Sequence, residues 1–314
     1  MILDIIIMTT RKNLEMLKIM LPFVRQNIIN GGNIYVVSQQ CIKDEIDALS
    51  DCFYVDEDNV YPGLTYRQVA SLMEEICGNS SKTGWYFQQF LKLAWAFKCK
   101  TKNYIVIDAD TIPLAPLCFI DSSGKFVFTK KIEYNKPYFD TIEELFNNKV
   151  SRVVDFSFVS EHMIFSVDHV KEMLALINDN EGLIGSSFYE KILRATGKAH
   201  LLVSGFSEFE TYGNFMMSFY PQECNTHSYR TQREAVYVLG SKPTKAQLEW
   251  ASQSYDIISI EVANYGPTLF TLFSSMSLVR NILSMRTLCK LRFRLRRLYR
   301  RLLKKPDFVL EENI

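Results

Sequence analysis

Apolar and polar residues follow each other along the N-terminal part of the chain in blocks that predict strands and helices in turn. Short apolar runs predict buried strands at residues 3–8, 33–38 and 52–55. Apolar side chains at three- and four-residue steps predict a helix over 14–29, which ends before Gly31 and Gly32, and a shorter helix over 42–49. The order strand, helix, strand, helix, strand is typical of a doubly wound α/β sheet.

The fourth apolar run, residues 104–107, leads directly into two acids, Asp108 and Asp110. Ligands of open α/β sheets bind outside the carboxyl ends of the strands, where these acids fall. Residues two apart in extended chain share a face, so both carboxylates could converge on one divalent cation that also takes phosphate oxygens. The pattern predicts a metal site for a diphosphate. The alternative interpretation is a polar strand end with two solvated acids.

The rest of the chain continues the mixture of strands and helices. The pattern predicts strands at 126–129, 157–166 and 236–239, and helices at 84–98, 139–146, 169–177, 187–196 and 245–253. No G-x-G-x-x-G motif follows the first strand, which argues against a dinucleotide-binding oxidoreductase. We therefore expect an α/β fold with a mostly parallel central sheet flanked by helices.

Polar residues on two predicted helices each allow a structural and a functional interpretation. In the apolar helix 84–98, Gln88 and Lys92 lie on one stripe, either at the surface or facing a polar ligand at the sheet edge. Lys92 could neutralise a phosphate there. Glu208 and Glu210 follow a serine at a predicted helix start, where acids are favourable, yet a carboxylate at that place also suits a general base.

Composition and charge divide the chain into an acidic body and a basic tail. Residues 286–305 hold ten of the 36 Lys and Arg and none of the 35 Asp and Glu, so the rest carries a formal charge of 26 − 35 = −9. The seven cysteines are scattered without a C-x-x-C pair, which favours reduced thiols in a cytoplasmic compartment. The N-terminal residues lack the pattern of a secretory signal, and no segment reaches the length of a spanning helix.

The basic tail has the pattern of an interfacial membrane helix. Leucines recur at three- and four-residue steps from Leu288 to Leu302, and basic residues fill most other positions. Such a helix lies in the membrane interface, held by apolar burial and by attraction to anionic lipid. Nucleic acid is disfavoured as a partner because the acidic body would repel phosphate chains. The predicted membrane contacts are Arg292, Arg296, Arg297, Arg300 and Arg301.

The order of these parts over about residues 1–240 resembles the GT-A fold of nucleotide-sugar-dependent glycosyltransferases, particularly bacterial members encoded among surface-polysaccharide genes. The resemblance is carried by GWYFQQFLKLAWA, IVIDADTIPL, SFVSEHMIF, SGFSEFETYGNF and a late histidine. It implies that Asp108 and Asp110 hold Mn²⁺ or Mg²⁺, with His227 as a further ligand. It also implies that Glu208, or in second place Glu210, deprotonates the acceptor.

The resemblance implies a donor half at about 1–120 and an acceptor half at about 121–265 within a catalytic domain 1–265, followed by a membrane-associating segment 266–314. The donor is expected to be a nucleoside-diphosphate sugar, UDP-sugar first, and the acceptor a glycan or glycolipid at the inner face of the cell membrane. The donor residues are then Thr9, Arg67, Gln88, Gln89, Lys92, Asp108, Ala109 and Asp110. The acceptor residues are His162, Ser204, Gly205 and Tyr212.

Two other functions fit parts of the sequence. Haloacid-dehalogenase-type phosphatases also carry D-x-D-x-T after an apolar strand, which Asp108 to Thr111 matches. That motif usually opens the chain, and residues 150–310 lack the acidic pair that this family needs for Mg²⁺. The other alternative is a non-enzymatic peripheral membrane-binding protein in which the two acids are incidental.

Overall fold

The computed structural model describes residues 2–261 and 268–303, and these group into two compact units. The first unit comprises residues up to 11, 30–108 and 119–227. The second comprises 12–29, 109–118 and the described residues from 228 onward. Lys304 and Lys305 of the predicted tail lie outside the described residues.

The strands are β1 (Leu3–Met8), β2 (Gly31–Ser38), β3 (Phe53–Asp56), β4 (Asn103–Ile107), β5 (Thr111–Pro113), β6 (Phe126–Thr129), β7 (His162–Ser166), β8 (Cys224–His227), β9 (Thr231–Gln232) and β10 (Ile257–Ser259). The α-helices are α1 (Leu14–Asn27), α2 (Lys43–Asp47), α3 (Tyr66–Cys77), α4 (Thr83–Ala94), α5 (Lys136–Leu145), α6 (Val167–Asp179), α7 (Phe188–Leu201), α8 (Glu208–Phe219), α9 (Val236–Leu239), α10 (Lys245–Ser252), α11 (Leu269–Ser275), α12 (Ser277–Ile282) and α13 (Met285–Leu302).

The first unit is built on a five-stranded sheet in the order β3-β2-β1-β4-β7, parallel except for β7. Every residue of β1 and β4 is buried, because their apolar runs face packed layers on both sides. The predicted α/β fold with a mostly parallel central sheet is therefore confirmed. In the same unit β6 and β8 form a parallel pair, and α3, α5 and α6 each pack against α7.

The second unit has its own small sheet and the C-terminal helices. β10 lies between β5, to which it is antiparallel, and β9, to which it is parallel. α11 contacts α9, α12 and α13. The described residues after 265 group with residues 228–261. The domain boundary at 265 stays a prediction. None of the described helices is both long and apolar enough to cross a membrane.

Several elements differ from the predictions. Residues 236–239 were predicted as a strand but form the single helical turn α9. The prediction was wrong because an apolar run of four has no periodicity that separates strand from helix. Only His162–Ser166 of the predicted strand 157–166 is extended in a sheet. Helix α3 and the short strands β5, β8, β9 and β10 were not predicted. β5, β9 and β10 have only two or three residues, below the length at which alternation is readable, and three of the four residues of β8 are polar.

Candidate active site

The candidate site lies at the carboxyl edge of the first unit's sheet, between its two central strands. The strand order reverses between β1 and β4, which makes this the topological switch point where open α/β sheets bind ligands. Thr9 follows β1, and Asp108 follows β4. Thr9 is buried, its N–H donates to the Val37 carbonyl at 3.0 Å, and its Oγ1 has no hydrogen-bond partner within the described residues.

Asp108 is held in place but keeps part of its carboxylate at the surface. Its N–H donates to the carbonyl of Glu161 at 2.9 Å. Its Oδ1 accepts a hydrogen bond from Nζ of Lys92 at 2.7 Å, and its side chain remains 31% exposed. The strand end therefore presents one fixed, accessible carboxylate to the switch point.

Lys92 joins Asp108 to a second acid in the interior. Its side chain is only 3% exposed, and Nζ also donates to Oε1 of Glu208 at 2.6 Å. Nζ lies 4.5 Å from the centre of the Phe209 ring, a favourable cation–π distance. Burial by itself disfavours the ammonium, but Asp108 and Glu208 outweigh burial, so the pKa of Lys92 lies above its ordinary value. We call Lys92, Asp108 and Glu208 the Lys92 cluster.

Glu208 reaches this cluster from the first position of α8. Ser207 caps that helix by accepting from the N–H of Glu210, as its sequence predicts. The N–H of Glu208 donates to Oε1 of Gln89 at 3.1 Å, so the predicted donor residue Gln89 fixes the helix start from within the protein. Burial raises the pKa of Glu208, and Lys92 offsets part of that rise.

A second buried group lies at the same sheet edge, where β7 begins opposite the end of β4. His162 pairs with Ile107 across the strands, and its Nε2 is hydrogen bonded to Oγ1 of Thr129 at 2.9 Å. Burial, and next the positive charge of Lys131, lower the pKa of His162 to about 3, which keeps the ring neutral. His162 therefore has the buried setting of a core histidine.

Glu161, which precedes His162, holds Asp108 through its carbonyl while its own backbone is strained. Its φ of +61° is a conformation that non-glycine residues seldom adopt and that costs about 1–3 kcal/mol. Its carboxylate forms a buried ion pair with Nζ of Lys131 at 3.3 Å. The sequence analysis missed both residues, although the pair of lysines that follows the apolar β6 strand was a signal.

Glu210, the second candidate base, is engaged in internal hydrogen bonds. Its Oε1 accepts from the Ser157 hydroxyl and from the N–H of Phe158, and its Oε2 accepts from Asn214. The side chain is 1% exposed, and burial raises its pKa. These contacts favour a structural role that ties α8 to residues 157–158. The assignment of Glu208 or Glu210 as a base stays a prediction.

The other predicted acceptor residues lie in packed surroundings. The hydroxyl of Tyr212 accepts from the N–H of Ser166 at 2.9 Å inside the core. Ser204 has φ +61°, and its carbonyl accepts from Asn135. A Cβ on Gly205 would lie 2.5 Å from Cβ of His200, so this glycine allows a close approach to α7.

The predicted metal ligands do not form a three-residue cluster. Asp108 falls in the first unit and Asp110 in the second, where the Asp110 carbonyl accepts from the N–H of Ile260 at 2.8 Å. His227 ends β8 with an exposed side chain. Within the part of the chain that the structure describes, no three His, Cys, Asp or Glu side chains assemble as a metal site. A donor set of one or two carboxylates still fits Mg²⁺ or Mn²⁺, which often fill their remaining positions with water and phosphate oxygens.

The remaining predicted residues range from buried to exposed. Arg67 is exposed on α3, Gln88 is half-buried on α4, and Ala109 is buried. Of the tail arginines, Arg297 and Arg301 are exposed and Arg300 is half-buried.

Arg292 and Arg296 both pair with Glu234 through their Nη1 atoms, at 2.6 Å and 3.2 Å. The guanidinium of Arg292 also lies 3.9 Å from the centre of the Tyr237 ring. We call Glu234, Arg292 and Arg296 the Glu234 cluster. It ties α13 to residue 234 within the second unit, and the assignment of these two arginines to a membrane contact stays a prediction.

Two glycosyltransferases are among the solved structures to which this chain is similar. The structure is similar to mouse xyloside xylosyltransferase 1 in its apo form, with a TM-score of 0.46 and 13% identity over 85% of this chain and 100% of that chain. It is also similar to the galactosyltransferase LgtC in complex with donor and acceptor sugar analogues, with a TM-score of 0.38 and 9% identity over 82% and 86% of the two chains.

A search of curated protein sequences finds no match. A family model matches residues 33–232, which include the whole Lys92 cluster and make up more than half of the 314 residues. The chain belongs to DUF6492, a family of unknown function.

Proposed function

We propose that this protein is a metal-dependent glycosyltransferase of the GT-A type, which moves a sugar from a nucleoside-diphosphate sugar to a glycan or glycolipid acceptor. The observation that carries the proposal is the carboxylate of Asp108. It stands 31% exposed at the switch point of a mostly parallel sheet and is held by a buried lysine. Open α/β sheets bind nucleotides at this place.

Thr9 supports a polar ligand at the same edge. Its buried Oγ1 lacks a hydrogen-bond partner among the described residues, and a buried hydroxyl without a partner costs free energy unless a ligand or water satisfies it. Thr9 and Asp108 follow neighbouring strands that pair in register through Asp4 and Tyr104. A donor nucleotide at this edge would meet both side chains, and UDP is the first candidate.

Asp108 would hold the cation through its carboxylate oxygens, and Asp110, two residues later, remains a predicted ligand. The cation, when bound, supplies Lewis-acid stabilisation of the departing nucleoside diphosphate. His227 remains a predicted further ligand.

Lys92 and Glu208 are positioning residues in this proposal. Because Nζ of Lys92 is buried between two carboxylates, it reaches the donor only through Asp108. The Lys92 bond fixes one oxygen of Asp108 and leaves the other side of the carboxylate available for a cation. Glu208 then holds Lys92 from the opposite side. The direct contact between Lys92 and a donor phosphate that the sequence suggested stays an untested alternative.

Ligand-dependent thermal stability tests the proposal. Wild-type protein is mixed with UDP, GDP, CDP, CMP or ADP, each with Mn²⁺, Mg²⁺ or EDTA. A ligand at about 100 times its Kd adds about 2.7 kcal/mol to the free energy of unfolding, enough to raise Tm by a few degrees. We expect one nucleoside diphosphate to raise Tm only with a divalent cation, and Asp108→Asn and Asp110→Ala to abolish the shift. The exposed residue Asp155 provides a matched control, since Asp155→Asn leaves the shift intact.

Failure of every nucleotide to raise Tm would overturn the proposal. If no nucleotide raises Tm and Mg²⁺ promotes phosphate release from a generic phosphomonoester, the phosphatase alternative is correct. If a nucleotide binds, its sugar conjugates are then incubated with the protein and candidate glycan acceptors. The conjugate that releases the nucleoside diphosphate identifies the transferred sugar.

A further inference from the structure

The three C-terminal helices expose apolar side chains on the second unit. Leu269 on α11 and Leu278 and Ile282 on α12 are 69–70% exposed. α11 contacts both α12 and α13, so these side chains belong to one helical assembly. Leaving so many large aliphatic groups in water is unfavourable, and such exposure marks a surface that meets a partner or a membrane.

Helix α13 has an exposed apolar face of its own. Its inner face, with Met285, Leu288 and Cys289, is buried in the second unit. The exposed leucines follow one another at four- and three-residue steps and so share a different face of the helix. They are Leu291, Leu295, Leu298 and Leu302.

A third face of α13 is basic. Arg294 and Arg301 are exposed beside the leucine stripe, and α13 contains no acid along its length. At 100° per residue, both arginines fall next to the stripe and away from the packed face. The helix therefore presents leucines and cations side by side, the arrangement of a helix that lies in a membrane interface.

The exposed arginines of α13 favour one kind of binding partner over the others. A second copy docked through the same stripe would bring two rows of arginines together, and like charges at close range are unfavourable. Nucleic acid would leave the leucines in water. An anionic bilayer satisfies both faces, because acyl chains cover the leucines and lipid phosphates pair with the arginines.

We propose that α11, α12 and the leucine and arginine faces of α13 form a docking surface for an anionic lipid bilayer. Sequence alone assigned this role to the whole basic tail. We assign it to a subset of α13 residues plus α11 and α12, and leave out Arg292 and Arg296, which pair with Glu234. The docking surface stands on observations within the second unit and does not depend on the transferase activity.

Vesicle co-sedimentation of the full chain tests this surface. The probe is a vesicle of equimolar phosphatidylglycerol and phosphatidylcholine, compared with pure phosphatidylcholine. We expect Leu295→Asp with Leu298→Asp, and separately Arg294→Glu with Arg301→Glu, each to weaken binding by more than about tenfold. Leu278→Asp tests the contribution of α12. Ile184→Asp, at a residue of the first unit that is 75% exposed, is the matched control and leaves binding unchanged.

A fluorescence readout on Leu298→Trp separates membrane burial from simple attraction. We expect its emission to shift to the blue with anionic vesicles and to be quenched by brominated acyl chains. Several results overturn the proposal: equal binding by the double variants and wild type, no binding by correctly folded wild type, or a dimer in light scattering that only Leu295→Asp with Leu298→Asp dissociates. Nucleotide-dependent thermal shifts stay intact in these variants, so failure of this surface and failure of the proposed transferase are distinguishable.

Discussion

The Lys92 and Glu234 clusters both pair carboxylates with cationic side chains, but in opposite ratios. In the Lys92 cluster one cation lies between two carboxylates, with both Lys92 and Glu208 at most 5% exposed. In the Glu234 cluster one carboxylate lies between two guanidinium groups, and the three side chains are 15–37% exposed. With all groups ionised, the first carries a charge of −1 and the second +1. The two clusters thus differ in both sign and burial.

The difference in burial indicates different roles. Charges in the interior lose their hydration, and their mutual attraction repays that loss only when the geometry is good, so a buried cluster is a costly way to stabilise a protein. A half-exposed cluster costs little and contributes little, but it can fix a surface helix. The buried, net negative cluster at a sheet edge suits cation binding, whereas the exposed, net positive one orients α13.

The largest effect that separates the clusters is expected from removing the central cation. Lys92→Met leaves the buried carboxylate of Glu208 without its cation, so the free energy of unfolding should fall by about 3–5 kcal/mol. Arg292→Met, the matched change in the Glu234 cluster, should cost about 1 kcal/mol because water solvates what remains. Urea unfolding of both variants measures the contrast.

A neutral version of the buried cluster controls for the loss of packing. Lys92→Met combined with Asp108→Asn and Glu208→Gln should recover most of the lost stability, since no unpaired charge then remains in the interior. Equal losses in Lys92→Met and Arg292→Met would contradict the distinction between the clusters.

A smaller effect is expected in the pH dependence of stability. Because burial raises the pKa of Glu208 above its unfolded value, the folded state binds the proton more tightly. Binding of this proton contributes its full share of the free energy of unfolding at pH values below the pKa of Glu208 in the unfolded chain, about 4.5. That contribution is lost as pH rises through the higher pKa of Glu208 in the folded protein. The stability of wild type relative to Glu208→Gln should therefore fall with rising pH. Denaturation curves from pH 4 to 8 measure it, and a difference that grows with pH would show that Lys92 keeps Glu208 ionised.

The smallest effect is expected at the half-exposed acid, Glu234. Glu234→Gln should lower global stability by less than about 1 kcal/mol, and added salt should reduce the difference further. The local effect should be larger: relative to wild type, amide hydrogen exchange in the variant should become faster in α13 by more than in α10 of the same unit. Unchanged exchange in α13 would mean that Met285 and Leu288 hold the helix without the arginines.

The sequence predicted the parts of the fold in which local pattern and tertiary environment agree. β1 and β4 are mostly apolar, and such strands are readable because a central strand is covered on both faces. The start of α8 was readable because Ser207 and the following acids satisfy the helix end locally. Residues 236–239 were misassigned because four apolar residues carry no period.

The site shows the same division. The sequence by itself determined that Asp108 ends a buried strand at the ligand-binding edge, and that α13 combines a leucine stripe with arginines. Only the tertiary structure decided that Lys92 lies between Asp108 and Glu208, residues 16 and 116 positions away along the chain. It also decided that Glu210 is used by Ser157 and Asn214, and that Arg292 and Arg296 turn inward to Glu234. A periodic pattern shows which residues share a face, but the partner of a charged group depends on which distant segment folding brings within about 3 Å of it.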